Sequence, residues 1–192
     1  MRARSARSPR LGNRSAAVLA VLFAAATGCS STAPSSSGRL SPQGSLETGA
    51  TPAVTAPSAM PTAQLFATAL ERYRAYQAAY KKAYETNDPS ELSTVAIDPL
   101  LSQITEDVEA NKAKGQLWRF SNTFNPRVYA RSKDSTKIYI IDCVRTLVAY
   151  RYSTRTGERL DGGPGGAYVQ RTTLQYHDGT WKAAATARDG KC

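Results

Sequence analysis

Two hydrophobic rhythms divide the chain. From residue 62 to 115 the apolar positions recur every three or four residues, and from 117 to 188 they alternate or run together in short stretches. The first spacing is that of an amphipathic helix and the second that of strands. Leu65, Phe66, Ala69, Leu70, Tyr73, Tyr76, Tyr80 and Tyr84 make one stripe, with Glu71, Arg74, Lys81, Lys82 and Glu85 on the other side. This predicts a long helix with Thr62 as its N-cap. Its tyrosines suit a half-polar boundary, because each ring buries while its hydroxyl needs a partner. Asn87-Asp88-Pro89-Ser90-Glu91 predicts a second helix, with Asp88 as cap, Pro89 at the first position and Glu91 closing a capping box. Asp98-Pro99 repeats the signal. Leu100, Leu101, Ile104 and Val108 then give the buried face of a third helix, ended by Gly115.

After Gly115 the period shortens. Leu117, Trp118 and Phe120 lead a first extended segment, and Arg127-Val128-Tyr129-Ala130 makes another before the turn Ser132-Lys133-Asp134-Ser135. Lys137 to Tyr152 is the strongest strand, dense in β-branched and aromatic residues. Strict alternation puts Ile138, Ile140, Asp142, Val144, Thr146, Val148 and Tyr150 on one face. Tyr139, Ile141, Cys143, Arg145, Leu147 and Ala149 take the other. So long a strand predicts a bend or bulge and a curved sheet. Asp161 to Gly166 reads as a loop by composition. Ala167 to Tyr176 and Trp181 to Arg188 form a closing hairpin across His177-Asp178-Gly179-Thr180. Three helices followed by antiparallel strands make an α+β domain, helices on one face of the sheet.

The first 61 residues follow neither rhythm. Arg2, Arg4, Arg7, Arg10 and Arg14 precede the apolar run Ala16 to Ala26, and small residues follow, which is the layout of a signal peptide over residues 1–28. Eleven apolar residues rise only about 16 Å as a helix, against a bilayer core of about 30 Å. Residues 29–61 are rich in Ser, Thr, Ala, Pro and Gly. They hold too few apolar side chains to offset ordering entropy and read as a disordered tether, with O-linked sugars a weaker reading from composition alone. The domain is expected at 62–192.

Charge shifts once the leader is set aside. The formal net charge is +10, but five of the 25 Lys and Arg lie before Cys29 and none of the 15 Asp and Glu do. From Cys29 onward 20 basic residues face 15 acidic ones, a mildly basic surface that does not call for nucleic acid. Lys137, Arg145, Arg151, Arg155 and Arg159 read as a solvated face, or as a contact for lipid headgroups or wall phosphate.

Ala26-Thr27-Gly28-Cys29-Ser30 resembles the lipobox of bacterial lipoproteins, which implies lipidation of Cys29 and anchoring to the cell membrane. Ordinary cleavage near Ala24-Ala25-Ala26 gives a free secreted protein instead. Export leaves Cys143 and Cys192 where disulfides persist. Paired, they close a loop of about 50 residues, worth roughly 4 kcal/mol in the chain-entropy model. The other reading is a buried thiol and a free C-terminal one. The run Leu174 to Lys182 is similar to the terminal hairpin of the NTF2-like (cystatin-like) superfamily, in which an Asp-Gly turn precedes a Trp. Ile141-Asp142-Cys143-Val144, the Thr156-Gly157 turn and the C-terminal Cys resemble a group of actinobacterial exported proteins with that fold. This likeness covers 62–192. It implies a cone of three N-terminal helices on a curved antiparallel sheet, and in that group the two cysteines pair.

No catalytic set stands out. His177 sits in a turn, which supplies neither an orienting partner nor a pocket. Asp142 is a weak catalytic candidate. If its face points into the cone it is desolvated, and Tyr73, Tyr76, Tyr80, Tyr139 and Tyr150 are candidate pocket residues around it. On the outer face it would pair with Arg131 or Arg171. The cysteines and one histidine make no zinc-type ligand set, and the Gly-rich run lacks a phosphate loop's Lys-Ser/Thr, so no metal or cofactor is expected. Three readings follow: a binding or interaction module for a small apolar ligand or a protein partner, an isomerase, dehydratase or cyclase acting through Asp142 and a Tyr, and an oligomeric structural subunit, a homodimer among them.

Overall fold

A computed structural model describes residues 56–192. The expected signal peptide, Cys29 and nearly all of the tether lie outside the described residues. Among the described residues there are two α-helices and six strands: α1 Thr62–Thr86, α2 Leu100–Ala113, β1 Gln116–Thr123, β2 Arg127–Arg131, β3 Lys137–Ser153, β4 Arg159–Pro164, β5 Ala167–His177 and β6 Thr180–Lys191. The architecture is α+β with antiparallel strand pairing, as the two rhythms predict.

The helix count differs from expectation. The segment after Asn87 forms only a 3₁₀ turn, Ser90–Thr94, so two helices stand where three were predicted. Asp88 does cap, its Oδ1 accepting the Ser90 N–H at 3.0 Å. Glu91 closes no capping box; its carboxylate reaches across to Lys82. With Leu92 and Val95 buried within six residues of Pro89, the chain drops straight into the core and has no length left for a helix. Residues Val95 to Ile97 then bond to Ala183 of β6. Pro61, not Thr62, takes the N-cap position of α1. The chain just before it also packs: Pro57 is buried and Met60 lies against the core.

α1 ends at Asn87, whose left-handed φ of 53° an Asn tolerates. Its Nδ2 donates to the Gln116 carbonyl at 2.7 Å and ties the helix end to β1. Gly115 ends the α2 region as predicted, with φ of 65°.

β3 is the spine of the sheet. Its first half pairs β2 on one side and β5 on the other; its second half pairs β1 and β4. β6 lies outside β5. The Gly-rich segment expected as a loop is therefore largely strand β4. Gly162 is needed there, since a Cβ would sit 2.1 Å from the Ala149 carbonyl oxygen.

Five bulges break the alternation. Four insert Tyr129 in β2, Leu147 in β3, Leu160 in β4 and Ala184 in β6, and the fifth sets Asp189 and Gly190 of β6 against Val169 of β5. Three of them, Tyr129, Leu147 and Leu160, are large and exposed. Beyond each bulge the strand faces exchange. Past Leu147, Ala149 and Arg151 lie opposite the inward-facing Phe120 and Trp118 of β1, and Tyr150 turns outward.

The core lies between α1, α2 and the sheet. Leu65, Ala69, Tyr73, Leu92, Val108, Ile138, Ile140, Leu174 and Trp181 are sealed there, each large aliphatic side chain contributing about 1.5–3 kcal/mol by burial. Among the described residues, no helix is long and apolar enough to cross a membrane.

Candidate functional site

α1 is about 37 Å long, and its core-facing side chains run from Leu65 to Tyr84. Its stripe meets two different environments. At the N-terminal end the layer is filled. Tyr73 is fully buried and its hydroxyl donates to Asp142 Oδ2 at 2.8 Å, while Gln77 Nε2 donates to the Tyr73 oxygen at 2.9 Å. The second Asp142 oxygen accepts the Asn125 backbone N–H at 2.6 Å. Asp142 thus faces inward, away from Arg131 and Arg171. It holds β3 to α1 and to the turn before β2, and it does not line the clefts described next. Burial first, then the Asp142 carboxylate, pushes the Tyr73 phenol well above the ordinary tyrosine range.

At the C-terminal end the layer opens into a cleft of about 460 Å³. Tyr80 and Tyr84 of α1 form one wall, Asp107 and Asn111 of α2 another. Trp118, Phe120 and Asn122 of β1, Thr146 and Ala149 of β3, Tyr168 of β5 and Arg188 of β6 form the floor and rim. A narrower recess of about 180 Å³ continues toward Tyr76, Gln77 and Gln170 and shares Tyr80, Asn122, Tyr168 and Arg188 with the cleft.

The walls are aromatic with polar tips. The Tyr80 ring lies 4.7 Å from Tyr84 and 6.0 Å from Phe120, in tilted contacts that rigidify one face. Tyr84 donates to Asp107 Oδ2 at 2.5 Å, and Trp118 Nε1 donates to Asn111 Oδ1 at 3.2 Å. Burial raises the Tyr76, Tyr80 and Tyr84 phenols above their usual range. The Asn122 side-chain oxygen is buried, lines both the cleft and the recess, and accepts no hydrogen bond; Asn87 Oδ1, Gln116 Oε1 and Trp181 Nε1 are also buried without a partner but line neither opening.

The tyrosines singled out in the sequence therefore separate. Tyr73 belongs to the filled end, Tyr76 to the recess and Tyr80 to both openings. Tyr139 lies on the outer face, where it lines an apolar groove of about 440 Å³ with Tyr129 and Arg171. Tyr150 is also outward, beneath the Arg159 guanidinium at 4.8 Å. Cys143 and Cys192 are joined, with Cα atoms 5.9 Å apart. Their bond crosses β5 and pins the end of β6, the strand that carries Arg188. It is also the kind of bond that persists outside the cytoplasm. His177 is exposed at the hairpin, 3.1 Å from Asp178. Arg151 of the basic stretch pairs with Asp161. Among the described residues, no cluster of metal-ligating side chains occurs.

Trp118, Asn122, Tyr168 and Arg188 were not found by sequence reasoning as site residues. Trp118, Phe120 and Asn122 alternate, so an amide in phase with two aromatics was the available signal. Arg188 gives none, because the bulge at Ala184 sets its direction.

The intermembrane-space region of the chloroplast protein ARC6 shares this fold, with a TM-score of 0.54 at 14% identity over 65% of this chain and 96% of that one. A putative scytalone dehydratase from Novosphingobium aromaticivorans matches more loosely, with a TM-score of 0.44 at 15% identity over 64% of this chain and 84% of its own. A protein with a cystatin-like fold from Caulobacter vibrioides gives 0.40 at 13% identity, over 65% and 90% of the two chains. No protein-family model matches the sequence, and no curated protein is significantly similar to it.

Proposed function

We propose that this chain is an exported, lipid-anchored binding protein whose NTF2-like domain takes a small molecule into the cleft at the C-terminal end of α1. The observation that carries the reading is the Asn122 amide oxygen, buried without a donor in an aromatic-walled opening. Buried polar atoms are rarely left unpaired in a folded chain, so a bound molecule that donates there completes the site. The lining, aromatic with polar tips, favours an amphipathic ligand, a flat body with polar edges, over a purely apolar one. Binding is favoured over turnover, because Asp107 is engaged by Tyr84 and Asp142 by Tyr73 and Asn125. Anchoring rests on the Cys29 motif, and the Cys143–Cys192 bond supports an oxidising compartment.

Trp118 makes the binding reading testable. Titrating flat phenols and aromatic alcohols into the full-length chain should change Trp118 fluorescence, with Trp181, buried at the filled end, as the silent reference. The reading fails if millimolar probe leaves Trp118 unchanged. Mass spectrometry of the native amino terminus tests the anchor separately: a diacylated Cys29 supports it, and an unmodified mature chain rules it out.

A further inference from the structure

The cleft also states what kind of molecule it takes. Its amide acceptor, Asn122, sits between the main opening and the recess, and its cation, Arg188, lines both. The Arg188 guanidinium lies over the Tyr168 ring at 3.6 Å. Stacking fixes the plane of the fork and leaves its N–H edges pointing sideways. Two other sheet arginines are ion-paired, Arg151 with Asp161 and Arg171 with Asp189, the residue next to Arg188, while Arg119 and Arg159 stack on Tyr152 and Tyr150 away from the cleft lining. Among the described residues, no carboxylate pairs with Arg188 itself. Asp107, the acid of the same cleft, receives the Tyr84 hydroxyl and repels an anion from the α2 wall.

The cleft is therefore polarised. One side accepts hydrogen bonds and carries negative charge; the other presents an oriented cation. On the premise that the cleft binds small molecules, we infer that its ligand is a small aromatic carboxylate with a hydroxyl or amine at the far end of its ring. The carboxylate takes the Arg188 fork, the ring lies among Tyr80, Phe120 and Tyr168, and the donor reaches Asn122. Such a molecule meets the bare acceptor and the unpaired cation at once, whereas a neutral phenol meets one and a plain lipid chain neither.

Three probes separate these terms on the full-length chain: para-hydroxyphenylacetate, its neutral alcohol tyrosol, and para-methoxyphenylacetate, which lacks the donor. The acid should bind about tenfold tighter than tyrosol, the factor of one charge-assisted hydrogen bond, and the gap should narrow with added salt. Arg188→Met should weaken the acid about tenfold more than tyrosol and so erase the gap between them. Asn122→Leu should erase the gap between the hydroxy and methoxy acids. Equal binding of acid and alcohol by the native chain overturns this inference and leaves the cleft reading standing. Failure of all three probes at millimolar concentration overturns the cleft reading itself.

Discussion

The two ends of α1 carry the same kind of residue into opposite situations. At the N-terminal end Tyr73 meets Asp142, and Tyr73, Gln77, Asp142 and the Asn125 N–H form one closed set of hydrogen bonds. At the C-terminal end Tyr80, Tyr84, Trp118 and Phe120 line a space, and the Asn122 oxygen facing it has none. Composition does not separate the ends, since both are aromatic with amides and one carboxylate. Satisfaction does. A closed polar network rigidifies a core, while an open one leaves an acceptor for something that arrives later. Function is assigned to the open end on that difference.

The largest test lies in what holds the open end together. Replacing both Cys143 and Cys192 by Ser removes a crosslink spanning 49 residues, and the chain-entropy model puts the loss at about 4 kcal/mol. Urea denaturation at neutral pH measures it. The bond pins the end of β6, so the double variant should also lose preference for an acidic probe over a neutral one, because Arg188 is no longer held over Tyr168. Unchanged preference would mean that the tail is positioned by its pairing with β5 alone.

The next test strikes the filled end. Asp142→Ala strands the buried Tyr73 hydroxyl and removes the acceptor of the part-buried Asn125 N–H bond, and should cost about 3 kcal/mol. Tyr73→Phe leaves Asp142 with one donor of two and should cost about 1 kcal/mol. Neither should alter probe binding beyond the general loss of folded protein. If Asp142→Ala kept its stability and lost binding, the carboxylate would belong to the site, and the division between the two ends would be false.

Much of this fold is legible in the sequence because its period is undisturbed there. The α1 stripe, the α2 face, the Asp178-Gly179 hairpin and the length of β3 all follow from spacing. What alternation cannot carry is the effect of a bulge. Leu147 and Ala184 each insert one residue, and every side chain beyond them changes face. Strict alternation puts Tyr150 on the face of Asp142, yet past Leu147 it lies outward. Arg188 faces the cleft past the bulge at Ala184, a direction that spacing alone does not give. The second helix failed differently. Its capping signal at Asp88 is real, but the burial of Leu92 and Val95 against β6 overrides local preference. The site is less legible than the fold because its defining residues lie beyond the bulges or, like Asn122, count only through the absence of a partner.

Asn122→Leu gives the smallest effect and the sharpest one, because its sign is opposite to that of Asp142→Ala. Removing the amide breaks no hydrogen bond to its side-chain oxygen and ends the desolvation of an unpaired polar atom. The leucine adds apolar contact with Phe120 and Tyr80 across the cleft. Stability should therefore hold or rise by up to about 1 kcal/mol, read as a small upward shift in melting temperature in the absence of ligand. A polar residue whose loss strengthens the empty protein is retained for what it does when the cleft is full. If Asn122→Leu instead costs as much as Asp142→Ala, the amide has a structural partner, and the two ends of α1 are alike after all.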